Sequence, residues 1–131
     1  MANNYMQSSS FLTVPPEHLE QAKEIITRIE AELEDDDHEG YVGVKTVVKD
    51  KGVWFTEEES ITMEHAVDIA QALIDELPCF DETTRFVMSY CYYCSKPRID
   101  DFGGGAVLLR KNKQPEWFDA ANLAEQHERG E

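Results

Sequence analysis

Apolar residues recur along this chain with two different periods, and the switches between them mark out the elements. Leu19, Ala22, Ile26, Ile29 and Leu33 return every three or four residues. That spacing predicts an amphipathic helix over about 16–34, opened by Pro15 and Pro16 in the one turn of a helix that tolerates proline. From Tyr41 the period drops to two, with Val42, Val44, Thr46 and Val48 on one face of a strand. Lys49-Asp50-Lys51-Gly52 reads as a tight hairpin turn, Gly52 being free to take a positive φ, and Val53, Trp54 and Phe55 start the return strand. Met63, Ala66, Val67, Ala70, Leu73, Ile74 and Leu77 then follow the i, i+3, i+4, i+7 pattern of a second helix, which Thr62 can cap and Pro78 stops.

The aromatic and β-branched run Arg85–Cys94 predicts a third strand, central in its sheet, and Gly105–Arg110 a fourth. Lys111–Pro115 reads as a turn, Trp117 and Phe118 as a short last strand, and Asp119 as the cap of a terminal helix over about 120–128. The order α-β-β-α-β-β-(β)-α implies an α+β fold of two layers. Its antiparallel sheet has four to five strands, and the helices pack on one face. The polar stretch before Val14 reads as a flexible or edge-pairing arm over 1–14, residues 15–128 as one α+β domain, and 129–131 as a frayed tail.

Charge changes the picture most. Twelve Lys and Arg face 27 Asp and Glu, a net charge of −15 in 131 residues. A surface of that sign excludes direct binding of nucleic acid, whose phosphates need basic neutralisation, and attraction to an anionic membrane. The opening segment lacks the basic and apolar regions of a signal peptide, and no apolar run is long enough for a transmembrane helix. Three cysteines, an odd number, fit a reduced cytoplasmic protein better than a disulfide framework. The charge is also uneven, with residues 17–39 and 50–82 strongly acidic and residues 83–113 mildly basic.

Two sets of residues carry candidate chemistry. The first is acidic: Glu32, Glu34, Asp35, Asp36, Asp37 and Glu39 crowd the end of the first helix, where the helix dipole already carries partial negative charge, and Glu57, Glu58 and Glu59 form a second patch. Such clusters are unfavourable for the helix alone and suit a cationic partner. A calcium loop starting at Asp35 fails, because its twelfth position is Thr46 and a strand follows. The second set is the loop carrying Cys91, Cys94, Lys96, Arg98, Asp100, Asp101, Gly103, Gly104 and Gly105, which combines thiols, cations and flexible backbone. Cys91 and Cys94 have no second pair to complete a zinc site, and on a strand they point to opposite faces. The three glycines lead into a strand, which suits a bulge or close backbone approach better than a phosphate cradle. No serine or cysteine stands in an activated elbow, so no catalytic residue, metal or cofactor is assigned.

The segments Gly52-Val53-Trp54-Phe55 and Cys94-Ser95-Lys96-Pro97-Arg98-Ile99-Asp100-Asp101-Phe102-Gly103-Gly104-Gly105-Ala106 resemble those of a family of small acidic proteins from bacteria, phages and mobile elements. That resemblance implies no chemistry, and it favours an inhibitor of a host protein. The expectation is therefore a non-enzymatic acidic binding protein, an inhibitor or charge mimic of anti-defence or immunity type, that engages a basic nucleic-acid-handling protein. The alternative is a small enzyme or anion-binding domain centred on Cys91–Gly105. A homodimer through an exposed sheet edge is left open by the sequence.

Overall fold

The first strand comes from the segment with the weakest strand signal. Met6, Ser8, Ser10, Leu12 and Val14 alternate with Gln7, Ser9, Phe11 and Thr13, and the first set turns inward: Ser8, Ser10, Leu12 and Val14 are buried. In the computed structural model, which describes residues 4–36, 42–57, 61–94 and 103–119, this segment is β1 (Asn4–Thr13). A single 3₁₀ turn at Pro16–His18 leads into α1 (Leu19–Asp36), and the hairpin β2 (Lys45–Lys49) and β3 (Gly52–Glu57) turns on Asp50 and Lys51. Helix α2 (Met63–Glu76), β4 (Phe86–Cys94), β5 (Gly103–Leu109) and β6 (Glu116–Asp119) complete the described chain.

The fold is α+β, with one antiparallel sheet in the order β2-β3-β1-β4-β5-β6. The expected sheet of four to five strands is corrected to six, and the arm is the added strand. It is neither flexible nor at an edge. It lies in the middle of the sheet, beside β4, which is central as its sequence predicts. Serine is a poor strand former, so composition alone argues against this placement. Two small inward side chains nevertheless suit a position beneath a helical layer where Ala22, Ala66 and Ala70 are themselves fully buried. The expected terminal helix over 120–128 and the tail lie outside the described residues.

Strand β1 changes partner halfway along. Asn4–Gln7 pair with Cys91–Cys94 of β4, and Ser8–Thr13 pair with Gly52–Glu57 of β3. At the changeover the Ser8 hydroxyl donates to the Ser89 carbonyl at 2.5 Å, holding β4 where the ladder to it has ended. Both ends are fastened as well: the Ile61 N–H donates to the Met6 carbonyl (2.9 Å) and the Val14 N–H to that of Lys51 (3.0 Å). So β1 joins two hairpin units, β2–β3 and β4–β5–β6, into one sheet.

The core lies between one face of that sheet and the two helices. Val53 and Phe55, Leu12, Phe86 and Met88, and Val107 and Leu109 come from four adjacent strands. Against them pack Ala22, Ile25, Ile26 and Leu33 of α1 and the whole apolar stripe of α2 from Met63 to Ile74. Each large side chain fully withdrawn from water contributes about 1.5–3 kcal/mol. The Thr62 side chain makes no capping bond to α2; its backbone is held instead by the Gly43 carbonyl (2.6 Å). Gly52, expected in the turn, opens β3, and a Cβ there would overlap the Leu12 carbonyl of β1.

That packing predicts a sharp cost for any side chain at residue 52. Gly52→Ala should destabilise the protein by about 1–3 kcal/mol through overpacking against β1, and Leu12→Ala by about 2–5 kcal/mol through the cavity it leaves. Thr13→Ala, exposed on the same strand, should stay within about 0.5 kcal/mol of wild type. Urea unfolding followed by tryptophan fluorescence checks all three. A wild-type midpoint for Gly52→Ala would contradict the close approach of β3 to β1.

Candidate functional site: the acidic end of the helical layer

The two helices run antiparallel, and this decides which charges meet. Arg28, midway along α1, donates to both carboxylate oxygens of Glu76 at the end of α2, one bond measuring 2.8 Å. Glu17, just before α1, stands close enough to Cys79, just after α2, to help raise its thiol pKa, although burial is the larger cause. The Thr62 N–H donating to the Gly43 carbonyl brings the chain that follows α1 to the start of α2, so the end of α1 with Glu32, Glu34 and Asp35 lies toward the N-terminus of α2. Glu64 and Asp68 are on the other flank of α2, Glu64 with Tyr90 and Trp117 and Asp68 with Asn112 and Pro115.

Basic residues stop at the middle of α1. The only Lys and Arg in the two helices are Lys23 and Arg28, and each is paired with an acid, Lys23 with Glu20 at 3.2 Å and Arg28 with Glu76. Neither helix has a basic residue in its last turn, so the dipole at the end of α1 meets acids instead of the cations that would stabilise it. Burial and then the neighbouring charge of Glu34 push the Glu30 carboxyl up, and burial, with a smaller push from Glu64 opposed by His65, raises that of Asp68. In contrast, the bond from Arg28 holds Glu76 below the usual carboxylate range.

Of the acidic residues singled out in the sequence, Glu32, Glu34 and Asp35 lie on α1 and Asp36 is its last residue. Glu57 ends β3 opposite Ser8 and, by alternation with Phe55, belongs to the helix-bearing face. Asp37, Glu39, Glu58 and Glu59 lie outside the described residues. Glu64 and Asp68 were missed. Their i, i+4 spacing on the polar side of α2 was visible, but their place over the β4–β6 side of the sheet depends on how α2 is seated.

The second candidate set comes together only in part. Cys91 is exposed on β4 and pairs with Gln7 on one side and Gly104 on the other, while Cys94 ends the strand. Gly103, Gly104 and Gly105 are all within β5, facing Tyr92, Cys91 and Tyr90 across the ladder. A Cβ on Gly103 would strike the Tyr92 ring, and one on Gly105 the Phe118 carbonyl and the Tyr90 hydroxyl. Room for two tyrosines thus accounts for glycine here. Lys96, Arg98, Asp100 and Asp101 lie outside the described residues.

Cys91 also lines an opening of about 460 Å³ at the β1 changeover, with Gln7, Ser8, Ser9, Thr56, Glu57, Ser89 and Tyr90. Among the described residues, no group of three or more His, Cys, Asp or Glu side chains is placed to hold a metal ion, and no helix is long and apolar enough to cross a membrane. His65 is committed structurally, its Nδ1 accepting the Gly43 N–H at 3.0 Å. Comparison with protein-family models, with curated proteins and with solved structures finds no match.

The raised Glu30 carboxyl gives a pH test with a definite sign. A carboxyl whose pKa is higher in the folded state binds its proton more tightly there, so it adds stability as pH falls and opposes folding once ionised. Glu30→Gln should therefore stabilise the protein at pH 7 by a few tenths of a kcal/mol, the effect being reduced by solvent around a half-exposed group. The gain should vanish near pH 3, below the range in which an ordinary glutamate ionises. Urea midpoints at the two pH values check this, and a variant less stable than wild type at pH 7 would contradict it.

Proposed function

We propose that this chain is a small acidic, non-enzymatic binding protein of the cytoplasm, whose helical layer docks a basic nucleic-acid-handling protein as an inhibitor or charge mimic. The observation that carries the reading is the acid-rich end of α1, where Glu32, Glu34 and Asp35 crowd a helix terminus that has no basic residue in its last turn. Solubility alone would be served by acids interspersed with bases. Here the two bases of the helical layer lie in the first half and the middle of α1, paired with Glu20 and Glu76, and no base follows Arg28 to the end of the helix. Such a region speeds encounter with a cationic surface and selects against anionic ones. The resemblance to acidic proteins of phages and mobile elements supports a host-directed target of this kind. Glu57 extends the same sign of charge to the end of β3.

Charge reversal tests the patch. Nuclease-treated host lysate is passed over the immobilised protein at low and high salt, and over the Glu32→Lys, Glu34→Lys, Asp35→Lys triple variant. Basic nucleic-acid-handling proteins should be held by the wild type at low salt and released at high salt. The affinity of the retained protein for the variant should fall roughly ten- to a hundredfold, from three lost contacts of about 0.2–1 kcal/mol each and the repulsion that replaces them. Equal retention by wild type and variant would remove the patch from the account.

A further inference from the structure

We propose that two copies of this chain pair through the face of the sheet that the helices leave open, forming a dimer with both acidic helical layers outward. This inference is independent of the partner proposed for the helices.

Both helices lie on one side of the sheet, so the outward-pointing residues of all six strands have no covering layer among the described residues. An apolar band crosses that face between polar residues such as Ser9, Thr56 and Ser89. Val47 of β2, Trp54 of β3 and Phe11 of β1 stand opposite one another in a row, and Val87 of β4 faces Leu108 of β5. The register that pairs Gln7 with Cys91, continued along β1, brings Phe11 abreast of Val87 and joins the two groups. Val87 is 57% exposed and Phe11 43%, the reverse of what their side chains favour in water. Trp54 is prepared for burial, because its Nε1–H already donates to Ser9 Oγ at 2.8 Å, leaving no polar atom to desolvate unpaired.

Charge selects a second copy as the occupant. By alternation, the charged strand residues on the open face are Lys45, Lys49 and Glu116, and Glu116 is paired with Arg110. Lys49 lies over the Trp54 ring, 5.8 Å from its centre. In a chain of net charge −15, this is a face where two copies can meet without opposing acids. A basic partner would be repelled by its lysines and drawn to the helices. Sheets stacked about 10 Å apart, each backed by a helical layer roughly 10 Å further out, keep the acidic layers about 30 Å apart. That separation exceeds the roughly 8 Å screening length at physiological salt several times over.

The area is sufficient for a modest interface. Six strands about 4.8 Å apart and about six residues tall present roughly 500 Å² per copy, or about 1,000 Å² for the pair, the lower bound of specific interfaces. A two-fold arrangement of identical faces closes on itself and stops at two. Pairing by sheet edges is poorly served, since Lys45 and Lys49 flank β2 and β6 has only four residues.

Sedimentation velocity of the full chain, from micromolar to near-millimolar concentration, tests the proposal. The mass should rise with concentration towards twice 15.0 kDa, and the dimer should tighten as salt rises, because screening relieves repulsion between two acidic chains. Val87→Glu should weaken association at least tenfold while leaving the circular dichroism and urea midpoint of the monomer unchanged; Phe11→Glu on the neighbouring strand serves if Val87→Glu alters the fold. The Glu32→Lys, Glu34→Lys, Asp35→Lys variant should dimerise as wild type, which separates this face from the helical one. A chain monomeric at every concentration, or a dimer indifferent to both glutamate substitutions, would overturn the proposal.

Discussion

One strand holds this structure together. Without β1, the hairpin β2–β3 and the meander β4–β5–β6 would be two small sheets with no shared hydrogen bond. By pairing first with β4 and then with β3, β1 fuses them across a separation of about 40 residues in sequence and gives the helices one continuous floor. The close approach at Gly52, the Ser8 hydroxyl on the Ser89 carbonyl and the bonds at Met6 and Val14 all serve that junction. Long-range pairing of this kind is entropically slow to form, so the sheet depends on apolar burial beneath the helices to hold it. Of the two helices α2 contributes more to that burial, its whole inward stripe being withdrawn from water.

Charge separates along the same division as the layers. The helices carry acids with two committed bases, whereas the outward sheet face carries lysines, paired charge and apolar side chains. The core beneath the helices makes the acid crowding affordable: repulsions of a few tenths of a kcal/mol each are small against several fully buried large side chains. The Glu30 carboxyl is raised chiefly by burial and then by the neighbouring charge of Glu34. A helical layer stabilised by its inner stripe is free to present an outer surface that isolated helices would not tolerate.

Much of this was legible in the residues. The stripe of α2 from Met63 to Ile74, the two-residue turn at Asp50 and Lys51, and the strand at Trp117 and Phe118 follow from periodicity and turn chemistry, which are local. The first strand was not legible, because its inward positions include Ser8 and Ser10, and serine marks a core strand only when its neighbours in space are known. The same limit applies to the site. Glu32, Glu34 and Asp35 were visible as a run, but that Arg28 reaches Glu76, and that Glu64 and Asp68 sit apart from the run by the β4–β6 side, depends on how the helices pack. The glycines of β5 show the converse. Their freedom suggested a binding loop, and the space is taken by Tyr90, Tyr92 and the Phe118 carbonyl.

The central claim is that negative potential is concentrated at one end of the helical layer and is used there. The most direct measurement is an amide NMR titration of the isotopically labelled protein with a short lysine-rich peptide at low salt. Saturable shifts centred on Glu32–Asp35 are predicted, lost on adding salt, with the amides around Glu20, Lys23 and Glu76 unmoved. Shifts spread evenly over every acidic residue, or centred on the open face of the sheet, would contradict it.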